Sequence, residues 1–236
     1  MRTVQQHVLI IVGLALIAAA PVPLHWSAWT SPALTAAIKA GTVRTVIIPT
    51  GGIEDNGPDL PLDKHNHIVA KTADMLAQRL GAAVVAPVVV HVPEADHAGA
   101  TGTLSVSGAT FEAILSDTIT SLARTGVREI VLMGDSGGNQ APQARVAQRL
   151  DAQLKRHGVR VWHLGDYYAR NGQGAWLAKR GIDASEATRH AGVADHAEYA
   201  AATGGGDAKM RSLGAGLLTL KVLAAQAEIE RLRQNR

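Results

Sequence analysis

VRTVIIPTGGIEDNGPDLPLDKHNH, residues 43–67, decides the fold. Val43, Val46, Ile47 and Ile48 make 43–49 a buried strand, and Thr50-Gly51-Gly52 turns it into a polar loop. Beyond the loop, 68–80 places Ile68, Ala73, Leu76 and Leu80 on one helical face and stops at Gly81. A β-branched run, a Gly-rich loop and an amphipathic helix, in that order, begin a parallel βαβ unit.

The unit recurs downstream. Residues 83–90 (AVVAPVVV) read as a strand, and 107–125 as a helix with Phe111, Ile114, Leu115, Ile119 and Leu122 inward, closed by Gly126. Residues 129–133 (EIVLM) form the next strand, which runs into Gly134-Asp135-Ser136-Gly137-Gly138-Asn139; a helix over 141–157 follows, closed by Gly158. The last clear strand is 159–164 (VRVWHL), and 183–201 and 213–233 read as helices separated by Gly204-Gly205-Gly206. The expected fold is a three-layer α/β/α sandwich with a largely parallel central sheet, one domain over 21–236. In such sheets ligands bind at the carboxyl ends of the strands, which puts the loops around Glu54, His65 and Asp135 at the site.

Composition narrows the chemistry. Of 236 residues none is Cys, which excludes disulfides and Cys-ligated metal, so any ion must sit on His, Asp and Glu. Hydrophobic residues make up 47%, too many for disorder. The net charge of +3 comes from scattered basic residues, and aromatics are only 3%, so stacking platforms are scarce and no nucleic-acid partner is expected.

At the N-terminus Arg2 precedes the apolar run 8–20 (VLIIVGLALIAAA), with Ala18 and Ala20 at the small-residue positions of a signal-peptidase site. Thirteen helical residues reach roughly 20 Å, short of a ~30 Å hydrocarbon core. The expectation is a secretory signal over 1–20, cleavage after Ala20, an exported periplasmic or secreted product, and no stable membrane anchor after cleavage.

Three polar segments could carry chemistry. Residues 51–67 gather Glu54, Asp55, Asn56, Asp59, Asp63, His65 and His67, oxygen and imidazole donors that suit zinc or manganese; the same residues also suit a solvated loop braced by Asx-turns. In 134–139 a carboxylate follows a buried strand, and Ser136 with Gly137 and Gly138 lets backbone amides approach an anion. This is neither a P-loop, a dinucleotide fingerprint nor a GxSxG elbow. In 189–198 (RHAGVADHAE), His190 and Asp195 share a face only if the helix breaks near Gly192; otherwise they begin a surface helix.

In order along the chain, IIPTGGIEDNGPDLPLDKHN (47–66), DHAGATGTLSV (96–106), IVLMGDSGGNQ (130–140) and HAGVADHA (190–197) resemble the motifs of the creatininase (creatinine amidohydrolase) family. Asn56, Lys64-His65-Asn66 and Gly134-Asp135 are similar to a branch of it that writes these segments ExNGPHxxLGKHN and GDHGG. The resemblance implies that Glu54, His65 and Asp135 bind one divalent metal, zinc first, with manganese or iron as alternatives. It further implies that His190 acts as proton shuttle with Asp195 as its orienting or metal-supporting partner. Asn56, Asp59, His97, Ser136, Gly137 and Gly138 would line the substrate side, the last two stabilising an oxyanion. Ser136 and Asp59 stand where the branch has His, and Val193 where the family has Glu. The expected function is metal-dependent hydrolysis of a C–N bond in a small amide or cyclic amide; the alternative is a non-catalytic descendant that binds a small ligand or partner. A homo-oligomer, a hexamer in this family, is implied by resemblance alone.

Overall fold

Alternation along the strands sorts the core into two layers. In the computed structural model, which describes residues 22–235, β1 (Thr45–Thr50) sends Val46 and Ile48 to one face of the sheet and Ile47 to the other. In β3 (Glu129–Gly134), Ile130 and Leu132 share the first face and Val131 and Met133 the second. With β2 (Ala83–Val85) and β4 (Arg160–His163) they form one sheet of order β2-β1-β3-β4, every pair parallel. Both faces are covered, as an all-parallel sheet requires.

The first face packs on α1 (Ser31–Ala40), α3 (Gly108–Arg124) and α4 (Gly137–Leu154); the second packs on α2 (Lys64–Leu80), α5 (Gly165–Ala169) and α8 (Ala208–Gln234). A smaller cluster joins α6 (Gln173–Ala178), α7 (Val193–Thr203) and the first half of α8 around Leu177, Ala194, Ala197 and Leu217. The three-layer α/β/α architecture is therefore as expected. By length and composition α8 could cross a membrane, but here its Val222, Ala225 and Ile229 are core side chains.

The topology positions the site. From β1 the chain passes through α2 on one face to β2, while from the neighbouring β3 it passes through α4 on the opposite face to β4. The carboxyl ends of β1 and β3 thus flank a switch point, where diverging connections leave a crevice. Asn139 closes its floor: its Nδ2 donates to the Thr50 carbonyl, the Thr50 hydroxyl and the Gly51 carbonyl at 2.8–3.2 Å.

Several boundaries differ from expectation. The second strand ends at Val85 rather than 90, because Pro87 has no N–H for a ladder; Val89 regains only an isolated bridge to Thr50. Helix α2 begins at Lys64, not 68, and α4 at Gly137, not 141, so polar residues assigned to loops are first-turn residues. The helix expected over 183–201 is broken: Ala184–Ala187 is one 3-10 turn, Ala191 has φ 51°, and α7 starts only at Val193. Helices α1, α5 and α6 had no sequence counterpart. The expected signal over 1–20 lies outside the described residues.

Candidate active site

Glu54 follows β1, His65 sits in the first turn of α2, and Asp135 follows β3; all three are buried. They form a row. His65 Nε2 lies 2.7 Å from Glu54 Oε1, and His65 Nδ1 lies 2.8 Å from Asp135 Oδ2. Burial disfavours the imidazolium, yet the hydrogen bonds to Asp135 and Glu54 outweigh it and hold the His65 pKa up at about 9. Burial likewise disfavours the Glu54 carboxylate, and its bond to His65 and that residue's charge bring it down to about 2.

The Asp135 end is closed by protein. Asp135 Oδ1 accepts from the Tyr167 hydroxyl at 2.8 Å and from Lys221 Nζ at 2.8 Å; the same ammonium reaches Glu198 Oε2 at 2.7 Å. Glu198 is also hydrogen-bonded by Gln173. Although burial would raise its pKa, the Lys221 charge and the His65 bond hold Asp135 well below the usual carboxylate range. Lys64, with its side chain 0% exposed, donates to Asp195 Oδ2 at 2.6 Å.

At the Glu54 end the site opens into a cavity of about 240 Å³. His97 Nε2 is 3.9 Å from Glu54 Oε2, and His190 Nδ1 is 3.7 Å from Glu54 Oε1. The two rings stack with centroids 4.4 Å apart. His190 Nε2 donates to the Asp55 carbonyl at 2.8 Å, so Nδ1 is the nitrogen that faces Glu54. Glu94 is the fourth wall: Ser136 Oγ donates to its Oε2 at 2.8 Å, and its carboxyl is hydrogen-bonded to that of Glu54. Burial and the neighbouring Glu54 charge push the Glu94 carboxyl up to about 8. Gly52 and Gly138 permit this packing, since a Cβ on Gly52 would stand 1.8 Å from Glu94 Oε1 and one on Gly138 1.9 Å from the Pro93 carbonyl oxygen.

Three expectations need correction. Glu54 and Asp135 lie on opposite nitrogens of the His65 ring, so a single ion held by all three does not match the arrangement; Asp135 instead orients the ring from behind. Asp195 does not orient His190. It accepts from Lys64 and from the Ala191 amide at 2.8 Å, bracing the turn that carries His190. Asn56 and Asp59 are not substrate-side residues. The Asn56 amide donates to the carbonyls of Glu54, Pro61 and Leu62, and Asp59 is exposed outside the cavity lining. Ser136, Gly137, Gly138 and His97 do line the cavity.

Glu94, Tyr167, Glu198 and Lys221 carry the network and were missed by sequence reasoning, and Lys64 was read as part of a motif without a role of its own. The available signal was a charge at a buried helical phase, as for Lys221 among Leu217, Leu218, Val222 and Ala225.

Comparison with known proteins bears on the fold and the family. The family described as creatinine amidohydrolase (creatininase) matches residues 27–203. Over 110 residues, 44% of each chain, the protein is 34% identical to the mycofactocin precursor peptide peptidase of Mycolicibacterium smegmatis. Over 92 residues it is 29% identical to the 3-dehydro-scyllo-inosose hydrolase of Thermotoga maritima, covering 39% of this chain and 30% of that one. The matches thus span less than half of either curated relative's length. A solved creatinine amidohydrolase superimposes with TM-score 0.71 at 20% identity, covering 88% of this chain and 97% of the other. A manganese creatininase structure gives TM-score 0.71 at 19% identity over 88% and 98%, and a mutant creatininase of Zn–Zn type gives 0.68 at 19% over 89% and 98%.

Proposed function

Because the chain belongs to the creatininase (creatinine amidohydrolase) family, whose curated relatives matched here are hydrolases, we propose that it hydrolyses a C–N bond of a small amide or cyclic amide in the cavity at Glu54. The observation that carries this reading is the gathering of His65, His97 and His190 nitrogens 2.7 to 3.9 Å from the two oxygens of one buried carboxylate.

The donor chemistry fits a divalent ion: burial and the Glu54 charge push the adjacent Glu94 carboxyl up to about 8, which marks this end of the site as short of positive charge. Glu54, His65 and His97 would hold zinc or manganese, the ions of the solved relatives, in the pattern of two imidazoles and one carboxylate found at catalytic sites. No group of three or more His, Asp or Glu among the described residues is already arranged as a ligating set. Binding would therefore require His97, whose side chain is 31% exposed, to turn, and the proton held between His65 Nε2 and Glu54 Oε1, now 2.7 Å apart, to give way to the ion as the Glu54 carboxylate shifts. Once bound, the ion supplies an activated water and a Lewis acid.

The chain's own residues supply the rest. Asp135 fixes the His65 ring through Nδ1, the carboxylate–histidine arrangement that orients a ligand. His190, its Nε2–H tied to the Asp55 carbonyl, presents Nδ1 to take a proton from the attacking water and return it to the departing nitrogen. Gly137 and Gly138, in the first turn of α4, line the cavity, and their backbone N–H groups would be the donors to a developing oxyanion.

The test is an amide and lactam hydrolysis screen on zinc- or manganese-loaded protein. Expected are turnover by the wild type, loss of turnover and of metal in Glu54→Gln, and a rate lowered about 10²- to 10⁴-fold in His190→Asn with metal retained. A fully metal-loaded protein inert across the panel yet saturably binding one of its compounds would move the chain to the ligand-binding reading.

A further inference from the structure

Lys221 lies on α8, beyond residues 27–203 that match the family, yet it reaches the centre of the buried network. Its Nζ stands 2.8 Å from Asp135 Oδ1 and 2.7 Å from Glu198 Oε2, and 5.3 Å from the centre of the Tyr167 ring. The Tyr167 hydroxyl points at the same Asp135 oxygen from 2.8 Å. Asp135, Glu198 and Lys221 all line the cavity. Two buried carboxylates beside a phenol oxygen are hard oxygen donors of the type that manganese or magnesium takes. The Lys221 ammonium, itself buried, supplies a positive charge between them.

We propose that Lys221 is the fixed cation of the inner half of the site: its ammonium fills, between Asp135 and Glu198, a position that would otherwise be open to a divalent ion. Lys221 is a positioning residue here, since it acts on the reacting end of the site only through Asp135 and His65. The chain is thereby limited to one exchangeable ion position, the one at Glu54. That last consequence rests on the hydrolase reading; the filling of the inner position does not.

The experiment is an ion count on the full chain by native mass spectrometry and manganese titration, comparing wild type with Lys221→Ala. Lys221→Ala is expected to bind one manganese ion more per chain than wild type, and to recover on manganese addition the thermal stability it loses without it. The difference in count is the readout, so it stands whether wild type binds one ion or none; the wild-type count alone bears on the hydrolase reading. An equal count in the two proteins, or a wild type that already holds an ion between Asp135 and Glu198, overturns the proposal. Should Lys221→Ala fail to fold, Lys221→Gln in the same titration decides it, one extra ion supporting and no extra ion refuting.

Discussion

Tyr167 ties the core to the site through one hydroxyl, which donates to Asp135 Oδ1 at 2.8 Å and lies 2.9 Å from Thr72 Oγ1. Tyr167→Phe removes that bridge and leaves the ring packed. Asp135 keeps His65 and Lys221, and Thr72 keeps its bonds to the Ile68 and Val69 carbonyls. The expected cost is about 1 kcal/mol, read as a lower urea midpoint at unchanged slope; a loss above about 3 kcal/mol would mean that Lys221 does not hold Asp135 without the phenol. The reach of sequence reasoning at this scale follows from where each residue sits. Glu54, His65 and Asp135 stand in polar stretches of sequence that follow strands, where a charged side chain stands out. Glu94, Tyr167, Glu198 and Lys221 are spread through apolar or weakly patterned segments, and only tertiary packing gives them partners. Asp135 and Asp195 were legible as site residues but not in role, because partners 86 and 131 residues away along the chain set those roles.

Strand β4 brings a titration of its own. Burial lowers the His163 pKa from 6.5 to about 4, and its Nε2 lies 3.0 Å from Gln140 Oε1 on α4. Between pH 4 and 6.5 the unfolded chain therefore binds the proton that folded His163 refuses. The stability this neutral histidine allows is complete above pH 6.5 and is lost as the pH falls through about 4. His163→Gln should abolish that component: its Tm relative to wild type should rise as the pH falls from 7 to 4. A difference that stays flat across that range would show that His163 titrates alike in both states. The elements themselves were legible where periodicity was strong, as in α3, whose Phe111, Leu115, Ile119 and Leu122 are all buried. They were misjudged at their polar ends. The first turns of α2 and α4 read as loops because Lys64, His65, Gly137 and Gly138 face the site rather than the core, so function masked the helical pattern.

For the whole molecule, the site is a consequence of topology. Diverging helices at the β1–β3 switch point leave a crevice that the Glu54 and Asp135 loops must share, and the Asn139 amide fixes the separation of their strands. That layout was readable from strand and helix order. The division of the crevice into a protein-neutralised inner half and an open outer half was not, because α8 delivers Lys221 from the far end of the chain. The central claim is that an ion belongs at Glu54 and not at Asp135. Anomalous scattering from crystals soaked in zinc tests it most directly. The account predicts a peak on the Nε2 side of His65, bounded by Glu54 and a turned His97; a peak on the Nδ1 side, bonded to Asp135, would contradict it.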